Sequence, residues 1–557
     1  MSKKIFHANK FKLTKFKLTL LLLLFLGMVN PASKIMASDN FDLETKTFLT
    51  RFFKNPSKVM SERIVKRNIN AEIVPKLILT KEQKSKLSRI RYAFRNRLLK
   101  KFNQNNKNKD VSQFFNIRSA YLENDLADNI VYNRTTMIKN IFDIDKAGLT
   151  KATLETQPWS DDYWPIYKGG LGFRYADPNA EIVEDALTDL WDRILNRDSS
   201  WKKYYQYVLK NPAQNYIEKG TINMLSPAEK YDLLIGDEEF SLSKAMWKEG
   251  EKYYNEKFKV ETWMGICHGW AAASYMSPRP LHSVIVNSLN NKYKITFYPS
   301  DIKALSSLFW ANSNYPQYLA GGRCSIKDKD KEVKRDATSG RILNPECFDT
   351  NPGTWHMTVV NQLGLAKKSF IIDSIYDYEV WNQPMLSYEY TYFNPQTSEN
   401  FSDAKSAIIL LKDFTKDKFT NFRSKDAKYA VGVKMTITYL AETDPSQLDD
   451  NPTLDSLVTA KYYYDLELDE TGKILGGEWY ADSHPDFLWT PAPGAKPYMT
   501  LDKMISNKWN PITEALPANW AEYAKKAVKF KLPLGRIVYA LTAASRGEEN
   551  YFESEMF

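Results

Sequence analysis

Residues 261–276 read ETWMGICHGWAAASYM, a run in which Gly265 permits a tight turn and the small residues that follow propagate well as a helix. Cys267 thereby falls at the expected N-terminus of that helix. Unpaired amides and the macrodipole favour an anion there, so a thiolate is favoured over a thiol, and the thiolate is the nucleophile. The plainer alternative, a buried structural cysteine, is the common fate of a lone thiol. Cysteine count bears on the choice, because the chain has three. Cys324 and Cys347 bracket the insert RCSIKDKDKEVKRDATSGRILNPEC (323–347), lysine-rich and poor in apolar residues. A disulfide tying its ends would contribute about 3 kcal/mol in the chain-entropy account. An odd count in an oxidising compartment strands one thiol, and this partition leaves Cys267 free.

A thiolate needs a proton donor for the leaving group and a base for the second half-reaction, usually histidine. His268 adjoins the nucleophile, but successive helical side chains diverge, so it is expected to face elsewhere. His282 follows a proline-rich loop and His484 lies in the turn-like SHPDF. His356 opens the run WHMTVVNQLGLAKKSFIIDSIYDYEVW (355–381), which reads as two strands, 356–361 and 369–375, around a turn at Gly364. In that hairpin His356 and Asp373 face each other, with β-carbons about 4.5–5.5 Å apart, so the carboxylate would orient the imidazole.

The first residues read as an address. Lysines precede an apolar run from Leu18 to Val29, roughly a dozen residues and too short to span a hydrocarbon core as a helix, as in a secretory signal peptide cut near Ala37. Residues 1–37 hold seven lysines and no acid, so the net charge of +10 leaves about +3 on the rest. That balance, without a recognised nucleic-acid module, argues against a nucleic-acid partner. Amphipathic patterns fall near 41–53 and, with many basic residues, 81–102; the segment 103–110, NQNNKNKD, holds no apolar residue. A further amphipathic helix is expected near 180–195. From about 400, strand-like alternation appears in KYAVGVKMTITYLAE and KYYYDLELDETGKILGGEWY, the second a hairpin turning at Glu470–Gly472. Asp465, Glu467 and Asp469 imitate a calcium loop but lack its glycine at the sixth position, and read as alternating exposed strand charges. No histidine or cysteine spacing suggests zinc.

The sequences GICHGWA (265–271), NPGTWHMTVVNQLG (351–364) and SFIIDSIYDYEVWNQP (369–384) resemble the transglutaminase-like, papain-like cysteine superfamily and, more narrowly, the microbial elicitor-type transglutaminases. QPWSDDYWPIYKGG and LDETGKILGGEWYADSHPDFLW fit that pattern too. The resemblance implies an α+β fold with a cysteine-bearing helix packed on an antiparallel sheet, a helical N-terminal extension and a β-rich C-terminal part. The expected organisation is a signal peptide at 1–37, a helical extension or pro-segment at 38–150, a catalytic core at 151–400 and a β-rich region at 401–557.

It implies Cys267, His356 and Asp373 as the catalytic set and fits Cys324 and Cys347 as a pair; Trp263 and the Cys267 amide would serve an oxyanion. The implied reaction is acyl transfer from protein glutamine to lysine or a small amine through a Cys267 thioester, or deamidation when water replaces the amine. Trp270, Trp355 and Trp381 would exclude water from the site. A papain-like protease and a non-catalytic secreted adhesion or elicitor protein are the rivals. No cofactor is expected, and no loop spacing predicts a calcium requirement. The protein is expected to be periplasmic or secreted, without a stable membrane span once the signal is cut.

Overall fold

The computed structural model describes residues 31–62, 125–180 and 198–548, apart from 325, 327–332 and 376–377. The leader through residue 30, the basic stretch at 81–102, the polar segment at 103–110 and nearly all of the expected helix at 180–195 lie outside the described residues.

Twelve strands follow one another along the described chain: β1 (Lys151–Thr153), β2 (Val284–Asn287), β3 (Lys294–Phe297), β4 (Gln317–Gly321), β5 (Ile371–Asp373), β6 (Asn382–Phe393), β7 (Asn400–Phe401), β8 (Ile409–Leu410), β9 (Tyr429–Ala441), β10 (Ser456–Leu468), β11 (Ile474–Trp479) and β12 (Phe487–Pro491). Ten of them form one antiparallel sheet in the order β11-β10-β9-β6-β5-β12-β4, with β1 and β7 on β6 and β8 on β9, while β2 and β3 form a separate hairpin. Valine, threonine and tyrosine dominate β9 and β10, residues that fit a pleated, half-buried surface. These two strands pair without interruption from Ser456↔Ala441 to Leu468↔Tyr429. The expected hairpin turn joins β10 to β11, with Gly472 at φ +89° beside it.

Mixed helix and sheet is thus observed. The N-terminal helix Pro31–Lys54 contains the expected 41–53 pattern and seats Leu49 and Phe52 against Phe393, Phe419, Tyr463 and Tyr480. The helix Cys267–Met276 starts at the cysteine, as the small-residue run requires. It lies tightly on the helix Pro299–Asn312: a β-carbon added to Gly269 would come within 2.1 Å of the Ser307 carbonyl oxygen. A methyl there would push the two helices apart.

The first strand of the expected 356–373 hairpin is instead a helix, Pro352–Thr358, extended by a π-helical segment Val359–Leu365. Asn351 caps it, its side chain accepting from the Gly353 amide at 2.8 Å, and Pro352 occupies the first turn. Trp355, Val359, Val360 and Leu363 are fully buried at helical spacing, so tertiary packing overrides the strand preference of the two valines. The partners of β5 are β6 and β12.

Residue 400 does not separate two structural layers, because β9, beyond it, pairs with β6, before it. Nor is the last stretch β-rich: Ala518–Val528 and Gly535–Ser545 are helices packed into a second core with Ile302, Leu305 and Leu308. Among the described residues no helix is long and apolar enough to cross a membrane.

Candidate active site

Cys267 is the free cysteine and is buried, whereas Cys324 and Cys347 are bridged. The loop leading into the Cys267 helix is held by the Ile266 amide donating to the Tyr163 carbonyl at 2.8 Å. Gly265 passes so close that a β-carbon would lie 2.3 Å from the same oxygen, which is why the turn needs glycine. The early segment around Tyr163 therefore fixes the direction from which the helix presents its thiol.

That thiol borders a cavity of about 1100 Å³ whose wall includes Trp263, His268, Arg323, Asn382 and Trp489. Two polar contacts to the thiol come from β6 and the turn before it. The Asn382 Nδ2 donates to Cys267 Sγ at 3.3 Å, and the Val380 carbonyl lies 3.7 Å from the sulfur as its acceptor. The Asn382 Oδ1 in turn accepts from Trp489 Nε1, on β12, at 2.7 Å. Arg323, next to the disulfide, donates to the Tyr378 carbonyl and stands over the Trp263 ring at 5.7 Å. Trp263 lines the cavity. Trp270 and Trp355 are core residues, and the Trp381 ring packs on Tyr163 with centroids 5.2 Å apart.

Asp373 is one strand pair from the site, its Cα partnered with Asn382. Its Oδ1 accepts from the Trp381 amide at 3.0 Å, and burial, reinforced by nearby Asp486, raises its pKa well above the usual carboxylate range. It is thereby favoured as a neutral acid that shapes the turn before β6.

His356 is elsewhere. Its ring packs on Tyr390 with centroids 4.8 Å apart, and Nδ1 is 2.9 Å from the Tyr464 hydroxyl. Tyr390 and Asn382 are eight residues apart on β6, and His356 is not among the residues that line the cavity. The structure therefore brings Cys267 and Asp373 into one neighbourhood and leaves His356 out of it, because its segment is a buried helix and not the strand facing β5. His282 is exposed beside Asp449, and His484 stacks on Trp479. Of these four histidines, His268 is the one on the cavity wall. In the sequence Asn382 and Gln383 match the family pattern but read as the finish of a strand and stay out of the catalytic set, and Trp489 is not singled out at all. Two consecutive buried amides, Asn382 and Gln383, after a tryptophan at a strand start are the signal that could have marked them.

Burial lowers the His356 pKa to about 3, so the ring is neutral in the fold. An unfolded histidine takes a proton near pH 6.5. The unfolded state therefore binds the extra proton between about pH 6.5 and 3, and stability is lost as pH falls through that window, by up to about 1.4 kcal/mol per pH unit for this group. Denaturant titrations at pH 7, 6 and 5 should show a shallower acid loss in His356→Phe than in wild type. Equal slopes would rule out the buried neutral ring as a source.

A family model of transglutaminase elicitors matches residues 241–516, a segment containing Cys267, Asp373, Asn382 and Trp489. Over that segment the chain matches the transglutaminase elicitor family. A solved structure, the GP42 transglutaminase from Phytophthora sojae, aligns over 70% of this chain and 92% of that one, at 20% identity and a TM-score of 0.40. No curated protein matches the chain in sequence. The transglutaminase elicitor segment begins with the helix Ser241–Lys257, just ahead of the thiol, and ends after β12, so it spans both sides of the cavity.

Proposed function

We propose that this transglutaminase elicitor relative is a cysteine-dependent acyltransferase acting on protein glutamine, with Cys267 as nucleophile. The observation that carries the reading is a free thiol at a helix N-terminus on the wall of a partly aromatic cavity, inside the family segment. The sulfur attacks the glutamine carboxamide carbon, forming a C–S bond as the C–N bond breaks. Ammonia departs with the thiol proton, and an acyl thioester remains. A primary amine then attacks the thioester and yields an amide, while its lost proton returns to the sulfur. Water in place of the amine gives deamidation.

His268 lines the same cavity, with its ring hydrogen-bonded to the Ala311 backbone, and burial lowers its pKa, favouring the neutral form that accepts a proton, which supports it as the proton-transfer group. Export fits the Cys324–Cys347 bridge and the leader-like N-terminus. Binding without turnover is the second reading, favoured by the position of His356 off the wall of the cavity that Cys267 borders.

The test is incorporation of a labelled primary amine into a glutamine-rich protein by wild type, His268→Gln and His356→Gln. Label should appear with wild type, fall about 100-fold with His268→Gln and change little with folded His356→Gln. Fragmentation of the acceptor would give the protease reading the case. Neither label nor fragments would leave binding without turnover.

A further inference from the structure

Resting on the reading of Cys267 as nucleophile, we propose that Asn382 is a catalytic donor to the reacting sulfur and that Trp489 is the positioning residue that aims it. An asparagine side chain carries a donor face and an acceptor face, and which one meets the sulfur decides whether it helps or opposes a thiolate. Here the choice is forced. An indole N–H is a donor only, so the Trp489 Nε1 at 2.7 Å must meet the Asn382 oxygen. The amide NH₂ is thereby turned to Cys267 Sγ, at 3.3 Å. Both side chains are nearly removed from solvent, Asn382 4% and Trp489 6% exposed, and both sit on strands of one sheet, so neither swings freely.

The surroundings suit both protonation states of the sulfur. As a thiol, Cys267 has the Val380 carbonyl at 3.7 Å as acceptor; as a thiolate, it has the Asn382 amide as donor. A hydrogen bond to the charged form favours that form, and a charge-assisted bond in a water-poor setting is about twice as strong as a neutral one. The amide dipole adds to the field of the helix N-terminus and needs no proton transfer of its own. Two residues on neighbouring parts of one sheet thus act on the reactivity of a sulfur on a separate helix.

The experiment is the pH dependence of Cys267 alkylation by iodoacetamide, which needs no glutamine substrate and is read in wild type, Asn382→Ala, Asn382→Asp and Trp489→Phe. The titratable and charged groups on the cavity wall, Glu249, Tyr253, His268, Tyr315, Tyr318, Arg323, Lys529 and Lys531, are common to all four proteins. Differences between them therefore report the changed groups. The midpoint should rise by about one pH unit in Asn382→Ala, further in Asn382→Asp, where an acidic side chain replaces the donor, and by a smaller step in Trp489→Phe, which keeps a ring but loses the N–H. Amine incorporation should fall in the same order.

A midpoint unchanged in folded Asn382→Asp and Trp489→Phe overturns the proposal, even where incorporation falls, because a merely structural role lowers turnover without moving the thiol. Absence of incorporation in wild type combined with the shifted midpoints would instead defeat the acyl-transfer reading and leave the donor assignment standing. Should Asn382→Ala not fold, the near-isosteric Asn382→Asp and the Trp489→Phe protein carry the test.

Discussion

Cys267→Ala is expected to lower amine incorporation by at least about 10⁴-fold while the protein still folds, since loss of a covalent nucleophile has effects of that order or larger. The side chain is small, 5% exposed, and its replacement removes one atom from the edge of a cavity, so the structural cost should be modest. Circular dichroism and a denaturant midpoint near wild type should accompany the loss. A second check is trapping: mass spectrometry of wild type mixed with a glutamine donor and no amine should show a mass gain on the peptide bearing Cys267. Incorporation that survives in the folded variant would sink the thioester mechanism.

Arg423→Met is expected to destabilise the fold by about 3–5 kcal/mol, the range for breaking a buried ion pair from one side. The guanidinium is 6% exposed and engages Asp465 through both terminal nitrogens at 2.6 and 2.7 Å, Asp417 at 3.0 and 3.1 Å, and Glu467 at 3.3 Å. Methionine would fill much of the space but leave three buried carboxylates facing one another without their cation. The sign with pH follows. Glu467, whose carboxyl burial already raises above the usual range, can relieve the repulsion by taking a proton, so the deficit of the variant should be largest near neutrality and narrow below about pH 5. Urea midpoints measured at pH 7.5 and pH 5 check both the size and the direction. A deficit under about 1 kcal/mol at pH 7.5 would mean that the cluster relaxes toward solvent.

That same cluster corrects a reading of the sequence. Asp465 and Glu467 look like the outward charges of a two-sided strand, yet both are buried, because Arg423 approaches from a distant loop that local alternation cannot announce. His356 misled for a related reason: WHMTVV has the valines of a strand, and hairpin arithmetic then supplied Asp373 as its partner. The Asn-Pro pair at 351–352 is the local mark of a helix start that outweighs them. Cys267 was legible because glycine and small residues around a thiol carry their own helix geometry, and the bridge was legible from a polar insert bounded by two cysteines. Asn382 and Trp489 were not, since their meaning comes only from the order in which β5, β6 and β12 lie side by side.

That order also bears on when the protein becomes reactive. Asn382 follows Cys267 by 115 residues, and Trp489 follows Asn382 by another 107. A chain made from its N-terminus presents the cysteine long before the groups that contact it exist. Contacts this far apart in sequence are also slow to close, since a long loop must be ordered first. On the proposed reading, the nascent polypeptide therefore carries a cysteine that lacks both of these contacts until β12 has entered the sheet.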